Sequence, residues 1–168
     1  RGGGSVMRED TNEVSANEML LIFESNPVNE GLARVTAASF CTQLNPTLEE
    51  IADLKTAVSE AVTNCIIHGY EGRRGRIEMH LSYRERELYV DITDYGVGIS
   101  DVEKAMEPMY TSKPDKDRSG MGFTIMESFM DKMKVESILG LGTKVTMSKI
   151  IKPKIESEEE QFEALLEN

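Results

Sequence analysis

A carboxylate, an amide and an imidazole recur at a spacing of four residues in the middle of the sequence. Glu60, Asn64 and His68 stand at positions i, i+4 and i+8, so they line one face if the segment is helical. A carboxylate can accept a proton, and an amide oxygen can bind a hard cation. This pattern predicts an ATP–Mg²⁺ site built on the helix.

The helix is predicted from its two ends and from its apolar stripe. Thr47-Leu-Glu-Glu50 is a capping box, in which the Thr hydroxyl and the Glu carboxylate satisfy free amides reciprocally. Gly69 is expected to end the helix as a left-handed cap, and His68 to serve packing or capping. The residues expected to face the core recur near the 3.6-residue period: Ile51, Leu54, Val58, Ala61, Val62 and Cys65.

Two glycine pairs could bring backbone close to a ligand. Asp94-Tyr-Gly-Val-Gly98 follows a predicted strand, although a simple strand-ending turn fits the same residues. Ser119-Gly-Met-Gly122 opens a predicted helix, and free amides at a helix N-terminus favour phosphate. A plain flexible entry to the helix fits this segment as well.

The remaining elements supply a scaffold for these segments. Strands are predicted at 19–23, 76–83, 88–94, 134–138 and 143–150, with 76–83 and 88–94 forming an antiparallel hairpin. Residues 99–119 form a long loop of the kind that is usually functional. The order indicates an α+β two-layer sandwich, with helices on one face of a mixed, mostly antiparallel sheet.

Two further helices are predicted to contribute to the core. The first begins near Val28, and its apolar stripe comprises Val28, Leu32, Val35, Phe40 and Leu44, with Ala33, Ala37 and Ala38 expected close to its buried side. The helix after Gly122 is expected to pack with an apolar face of Met and Phe: Phe123, Met126, Phe129, Met130 and Met133. Arg34, judged by spacing alone, is interpreted as a solvated surface residue.

Composition limits the function. The chain has 168 residues, which fits one domain, and a net charge of −11, which disfavours a nucleic-acid partner. We expect a flexible linker or remnant at 1–16, an ATP-binding domain at 17–152 and an acidic tail at 153–168. The chain has no apolar run that could span a bilayer, and Cys41 and Cys65 are expected to be free buried thiols of a cytoplasmic protein.

The order of the motifs resembles the GHKL superfamily of ATP-binding domains, and more narrowly its anti-sigma serine kinase branch, the anti-sigma F factors of sporulating bacteria. The resemblance spans about residues 17–150 and rests on five segments: Ala33-Arg-Val, Val58-Ser-Glu-Ala-Val-Thr-Asn-Cys-Ile-Ile-His-Gly-Tyr70, Asp94-x-Gly-Val-Gly-Ile99, Thr111-Ser-Lys-Pro114 and Arg118-Ser-Gly-Met-Gly-Phe-Thr-Ile-Met-Glu127. It implies a Bergerat-type fold and a kinase that uses Mg-ATP.

The resemblance also implies a role for each site residue. Glu60 would be the general base, and Asn64 the protein ligand of Mg²⁺. Asp94 would accept the adenine amino group, with Thr143 assisting through water. The other residues implied in nucleotide binding, or in neutralising the charge of the γ-phosphate, are Gly96, Gly98, Thr111, Lys113, Arg118, Gly120, Met121 and Gly122. Residues 99–119 would form a nucleotide lid.

The implied partners are a sporulation sigma factor, an anti-anti-sigma protein phosphorylated on serine, and a second copy of the chain. Arg34 matches a partner-contacting Arg of that family, which replaces its interpretation as a surface residue. An alternative is a non-catalytic module that binds ATP and sequesters sigma factor. The sequence lacks a P-loop motif and the His-Arg-Asp and Asp-Phe-Gly motifs, which excludes those kinase and NTPase classes.

Overall fold

The computed structural model describes residues 16–108 and 122–153. Residues 1–15 of the predicted N-terminal segment, residues 109–121 and residues 154–168 of the acidic tail lie outside this range. The strands are β1 (Ala16–Glu24), β2 (Arg76–Arg84), β3 (Glu87–Asp94), β4 (Lys132–Ile138) and β5 (Gly142–Ile150). The α-helices are α1 (Asn29–Cys41), α2 (Leu48–Asn64), α3 (Val102–Ala105) and α4 (Gly122–Phe129).

The five described strands form one sheet in the order β1-β2-β3-β5-β4. All four pairings are antiparallel, including the predicted hairpin. The described sheet is therefore antiparallel throughout, rather than mixed as predicted. Alternate strand residues are buried on one face of β2 and β3, as a half-buried strand requires. The helices α1, α2 and α4 cover that face, so the α+β two-layer prediction is confirmed.

Helix α2 is the central helix of the covering layer and contacts both α1 and α4. It begins at the predicted capping box: the Thr47 hydroxyl accepts from the Glu50 amide at 3.1 Å, and the Glu50 carboxylate accepts from the Thr47 amide at 2.9 Å. Its core face is Leu54, Ala57, Val58, Ala61 and Val62, all at most 1% exposed. The start and the orientation of this helix are therefore as predicted.

The buried face of α1 was predicted correctly at Ala33, Ala37, Phe40 and Leu44 and wrongly at its large N-terminal side chains. Val28, Leu32 and Val35 are 77%, 57% and 54% exposed, while Ala33 and Ala37 are fully buried. Small side chains face α2 because they let the two helix axes approach closely. The large side chains of the predicted stripe point to solvent, apart from the two at its C-terminal end, Phe40 and Leu44.

Two other local predictions need correction. Gly69 is not left-handed; Glu71 and Gly72 carry the positive φ values after the helix, 55° and 80°. Met133 lies in β4 rather than on α4, which ends at Phe129. Both free cysteines are buried, as expected. Within the described residues, every helix is too short or too polar to cross a bilayer.

Candidate functional site

The end of α2 changes its winding where the predicted site begins. Residues Cys65–Gly69 form a π-turn, closed by a bond of 2.9 Å from the Tyr70 amide to the Cys65 carbonyl. The wider turn inserts an extra residue, so the last side chains of the helix are re-aimed relative to an α-helix. Cys65, His68 and Gly69 consequently line the same cavity as Asn64.

Glu60 and Asn64 meet at the start of helix α4. A Cβ atom placed on Gly122 would lie 3.2 Å from both terminal atoms of the Asn64 amide and 3.4 Å from Glu60 Oε2. The carboxylate and the amide therefore flank the first residue of α4, as their spacing predicts. Gly122 leaves the space between them open because it has no side chain.

A cavity of about 280 Å³ opens between α2, the ends of β3 and β5, and the first residues of α4. Its volume is near the lower end of the range for small-molecule sites, about 300–1,000 Å³. It brings together five of the predicted site residues in the described part of the chain. These are Asn64, Asp94, Gly98, Gly122 and Thr143.

Asp94 is the buried acid of this cavity and is 4% exposed. Burial raises the pKa of its carboxyl, while hydrogen bonds from the Gly96 amide, the Cys65 thiol and the Thr143 amide act in the opposite direction. The Gly96 bond measures 2.9 Å to Oδ1. Burial and the adjacent carboxylate raise the pKa of the Cys65 thiol well above its usual value, so it acts as a neutral donor. Asp94 is thus a fixed acceptor facing a cavity.

The neighbourhood of Asp94 depends on close backbone contacts. A Cβ on Gly96 would lie 2.0 Å from the Gly69 carbonyl oxygen, and one on Gly69 would lie 2.8 Å from Asp94 Cγ. Gly98 has a φ of 73° and would bring a Cβ within 2.3 Å of the Ile138 carbonyl oxygen. These glycines are required by the packing of the chain against itself, in addition to any approach of a ligand.

Thr143 faces Asp94 across the β3–β5 pair and Ser137 across the β4–β5 pair. Directly paired residues share one face of a sheet, so the three side chains form a row at the floor of the cavity. The Thr143 and Ser137 hydroxyls are 2.9 Å apart. Sequence reasoning missed Ser137 because it belongs to none of the motifs and contacts the cavity through two lining residues, Thr143 and Ile99.

His68 and Cys65 are also additions to the predicted site. His68 was expected to serve packing or capping, yet it lines the cavity one turn beyond Asn64. The i, i+8 spacing from Glu60 was the signal that pointed to this face. Cys65 was assigned to the core stripe, and it is buried, but it also contacts Asp94.

Arg34 belongs to α1 and its side chain reaches helix α2. Its guanidinium Nη1 donates to Glu30 Oε1 at 3.2 Å and to Ser59 Oγ at 3.3 Å. Ser59 immediately precedes Glu60, and the Arg34 side chain remains 39% exposed. A protein that contacts Arg34 would therefore lie near Glu60.

Several predicted residues lie outside the described part of the chain, namely Thr111, Lys113, Arg118, Gly120 and Met121. Within residues 16–108 and 122–153, no group of three or more His, Cys, Asp or Glu side chains could hold a metal ion. A cation at Asn64 would thus need most of its ligands from phosphate oxygens and water. Mg²⁺ is commonly bound in this way, so the donor set is compatible with it.

The chain is similar to proteins of one family over most of its length. A family described as histidine kinase-like ATPase domain matches residues 23–149. An anti-sigma F factor of Clostridium acetobutylicum is 59% identical over 133 residues, covering 79% of this chain and 93% of that relative. The anti-sigma F factor of Clostridium beijerinckii is 53% identical over 137 residues, covering 81% and 96% of the two chains.

A solved structure shares the fold. The RsbU and RsbW domains of Rv1364c from Mycobacterium tuberculosis match with a TM-score of 0.58 over 82% of this chain and 33% of that chain. The sequence identity is 14%, so this likeness bears on the fold alone.

Proposed function

The chain belongs to the histidine kinase-like ATPase family and, within it, to the anti-sigma F factors, and from this premise we propose that it binds Mg-ATP, inhibits a sporulation sigma factor and phosphorylates a serine of an anti-anti-sigma protein. The protein is an anti-sigma factor with an ATPase-type domain of the kinase family. The proposed parts of this function are serine as the phosphate acceptor, Mg²⁺ as the cation, the anti-anti-sigma partner, a homodimer and a cytoplasmic location.

The observation that carries the proposal is the meeting of Glu60 and Asn64 at Gly122. A serine kinase needs a base within hydrogen-bond reach of the attacking hydroxyl. In the proposed step the serine oxygen attacks the γ-phosphorus, ADP leaves, and Glu60 accepts the hydroxyl proton. Mg²⁺ held by Asn64 and phosphate oxygens would neutralise negative charge on the transferred group.

The opposite end of the cavity suits a purine base. Among the described residues, the hydrogen-bond donors of Asp94 include no side-chain cation, so its carboxylate can accept a hydrogen bond from an exocyclic amino group. Thr143 offers a hydroxyl beside it. We assign Gly96 and Gly98 to the backbone path along the nucleotide, and the amides of Gly120, Met121 and Gly122 to the phosphates. The assignment rests on the resemblance alone for the residues outside the described part of the chain, namely Thr111, Lys113, Arg118, Gly120 and Met121.

Partner binding is assigned to Arg34. Its bond to Ser59 holds it next to Glu60, so an acceptor protein that contacts it would present its serine near the base. Glu30 on the same helix limits the motion of the guanidinium.

Phosphate transfer distinguishes a kinase from a module that only binds ATP and sequesters sigma factor. The chain is mixed with γ-labelled Mg-ATP and a serine-bearing anti-anti-sigma protein, and label on serine is measured. Glu60→Gln should retain ATP binding and lose about 100-fold or more in transfer rate. Asn64→Ala should lose the Mg²⁺-dependent part of ATP affinity.

Glu49→Gln is a matched control, since Glu49 lies on the exposed first turn of the same helix. Its transfer rate should equal that of the wild type. Binding of ATP and sigma factor without label on the partner would favour the non-catalytic module. An unchanged rate in Glu60→Gln would remove Glu60 as the base.

A further inference from the structure

Ser137 is a hydroxyl with three hydrogen-bond partners behind the floor of the cavity. The Ile99 amide donates to its Oγ at 2.7 Å, and its Oγ lies 3.0 Å from the Gly142 carbonyl oxygen and 2.9 Å from Thr143 Oγ1. Ile99 lies in the segment that follows the Asp94 motif, and Gly142 and Thr143 begin β5. Ser137 thus joins three segments that surround the Asp94 end.

Counting protons assigns the direction of the bond between the two hydroxyls. A serine hydroxyl has one proton and two lone pairs. A carbonyl can only accept, so the Ser137 proton is given to Gly142. An amide can only donate, so the Ile99 N–H takes one lone pair of Ser137. The bond to Thr143 therefore uses the second lone pair of Ser137, and Thr143 is the donor.

This assignment fixes what Thr143 presents to the cavity. Its single proton points away, toward Ser137, so its oxygen can act toward a ligand only as an acceptor. Asp94 beside it is a carboxylate, whose oxygens also accept. Three donors next to Asp94 are engaged, because the Gly96 amide, the Thr143 amide and the Cys65 thiol all bond to its carboxylate.

We propose that Ser137 is a positioning residue that holds the Thr143 hydroxyl as an acceptor and so sets the selectivity of the site for a purine with an amino group at position 6. The inference deepens the proposed nucleotide-binding function and rests on it. With Ser137 present, a carbonyl at position 6 meets two acceptors. Without Ser137, the Thr143 hydroxyl is free to rotate and donate to that carbonyl, directly or through water.

The test compares ATP with ITP, in which a carbonyl oxygen replaces the amino group at position 6. Dissociation constants of both are measured calorimetrically on the full chain. Wild type should bind ATP more tightly than ITP. Ser137→Ala should lower the ratio of the two affinities by about 5- to 10-fold, the range for one hydrogen bond. A purely structural loss would weaken both nucleotides together and leave the ratio unchanged.

A double-mutant cycle shows whether the effect passes through Thr143. Thr143→Val should lower the ratio, and adding Ser137→Ala to it should change the ratio no further. Ser148→Ala is the matched control, since Ser148 is a 3% exposed serine on β5 that bonds to Glu87 away from the cavity. Its ratio should equal that of the wild type.

Three results overturn the inference. One is a Ser137→Ala ratio equal to that of wild type, and another is a further fall of the ratio in the Thr143→Val background. The third is a wild type that binds no ATP. This result also refutes the proposed function, whereas the first two refute only the role of Ser137. If Ser137→Ala does not fold, Ser137→Cys keeps a side chain of similar volume with a weaker acceptor and should shift the ratio in the same direction.

Discussion

Adding one methyl group at Gly122 should separate the stability of the protein from its catalytic function. Gly122 is the first residue of α4, and its missing side chain leaves room where Glu60 and Asn64 meet. In Gly122→Ala the new Cβ would stand 3.2 Å from the Asn64 amide and 3.4 Å from the Glu60 carboxylate. The contact with the Asn64 amide is tighter than nine in ten real Cβ contacts, so the amide must move by a few tenths of an ångström, whereas the contact with Glu60 is at the limit of ordinary van der Waals distance.

The two consequences have opposite signs. Alanine is favoured over glycine in a helix by about 0.5–1 kcal/mol, and at the helix end the gain is at the lower limit. Asn64 can yield because the contact is with the far end of its side chain, so the fold loses little. The displaced amide no longer holds the proposed cation in place, and misplacement on this scale should lower the transfer rate roughly ten-fold.

Thermal unfolding and phosphate transfer are measured on Gly122→Ala and on Gly31→Ala. Gly31 is a matched control, because it lies in α1 and its Cβ would approach only Arg34 Nη2, at an ordinary 3.8 Å. Both variants should keep or raise the melting temperature, by at most about 2–4 °C. The rate of phosphate transfer should fall only in Gly122→Ala. A full rate in Gly122→Ala would refute the placement of the reacting groups at this point.

The remaining predictions concern two carboxylates. Burial raises the pKa of Asp94 above its ordinary value of 3.8, so the ATP affinity of the wild type should fall on acidification at a pH above 3.8. Asp94→Asn should bind ATP weakly, and its affinity should change with pH only as the nucleotide itself titrates. In the nucleotide-free protein the sign is reversed, because the buried charge lowers stability above the folded pKa and protonation relieves this cost. Burial also acts to raise the pKa of Glu50, but amide donors from Lys152 and Thr47 outweigh it and lower that pKa below 4.5. The Glu50 carboxylate therefore stabilises the fold above pH 4.5, and this stabilisation is lost as pH falls through the folded pKa. Glu50→Gln should lower the free energy of unfolding in urea by about 1–2 kcal/mol at pH 7 and make that free energy less dependent on pH in the acid range.

Helix α2 could be predicted from the sequence because its signals are local. The capping box of Thr47 and Glu50 determines the start, and the apolar stripe determines the buried face without reference to the rest of the chain. The same reasoning was only partly right for α1, where the series Val28, Leu32, Val35 and the series Ala33, Ala37, Cys41 both fit a helical period. Which series is buried depends on how closely α1 approaches α2, and that distance is a tertiary property.

In the candidate site, too, some residues could be predicted from local sequence signals and others only from the tertiary structure. The positions of Glu60 and Asn64 on one face follow from their spacing on a single helix. The row of Asp94, Thr143 and Ser137 depends on the register of three strands, two of which are separated by about fifty residues of sequence. A one-residue slip in either pairing would turn the side chains to the other face, and no local signal in the sequence specifies that register. Ser137 could therefore be found only from the structure.

The glycines near Asp94 affect how any mutational test of this site is interpreted. Gly96 was assigned to a ligand-approach role, but its Cβ would stand 2.0 Å from a backbone oxygen of Gly69, which cannot yield as a side chain does. The amides of Gly96 and Val97 also bond to Asp94 and to the Gly69 carbonyl, each at 2.9 Å. A substitution at Gly96 would thus separate the π-turn from the end of β3 and displace Asp94, whether or not a nucleotide contacts that residue. Loss of ATP binding in such a variant would reveal nothing about base recognition, whereas Asp94 and Ser137 can be changed without introducing a new atom against the backbone.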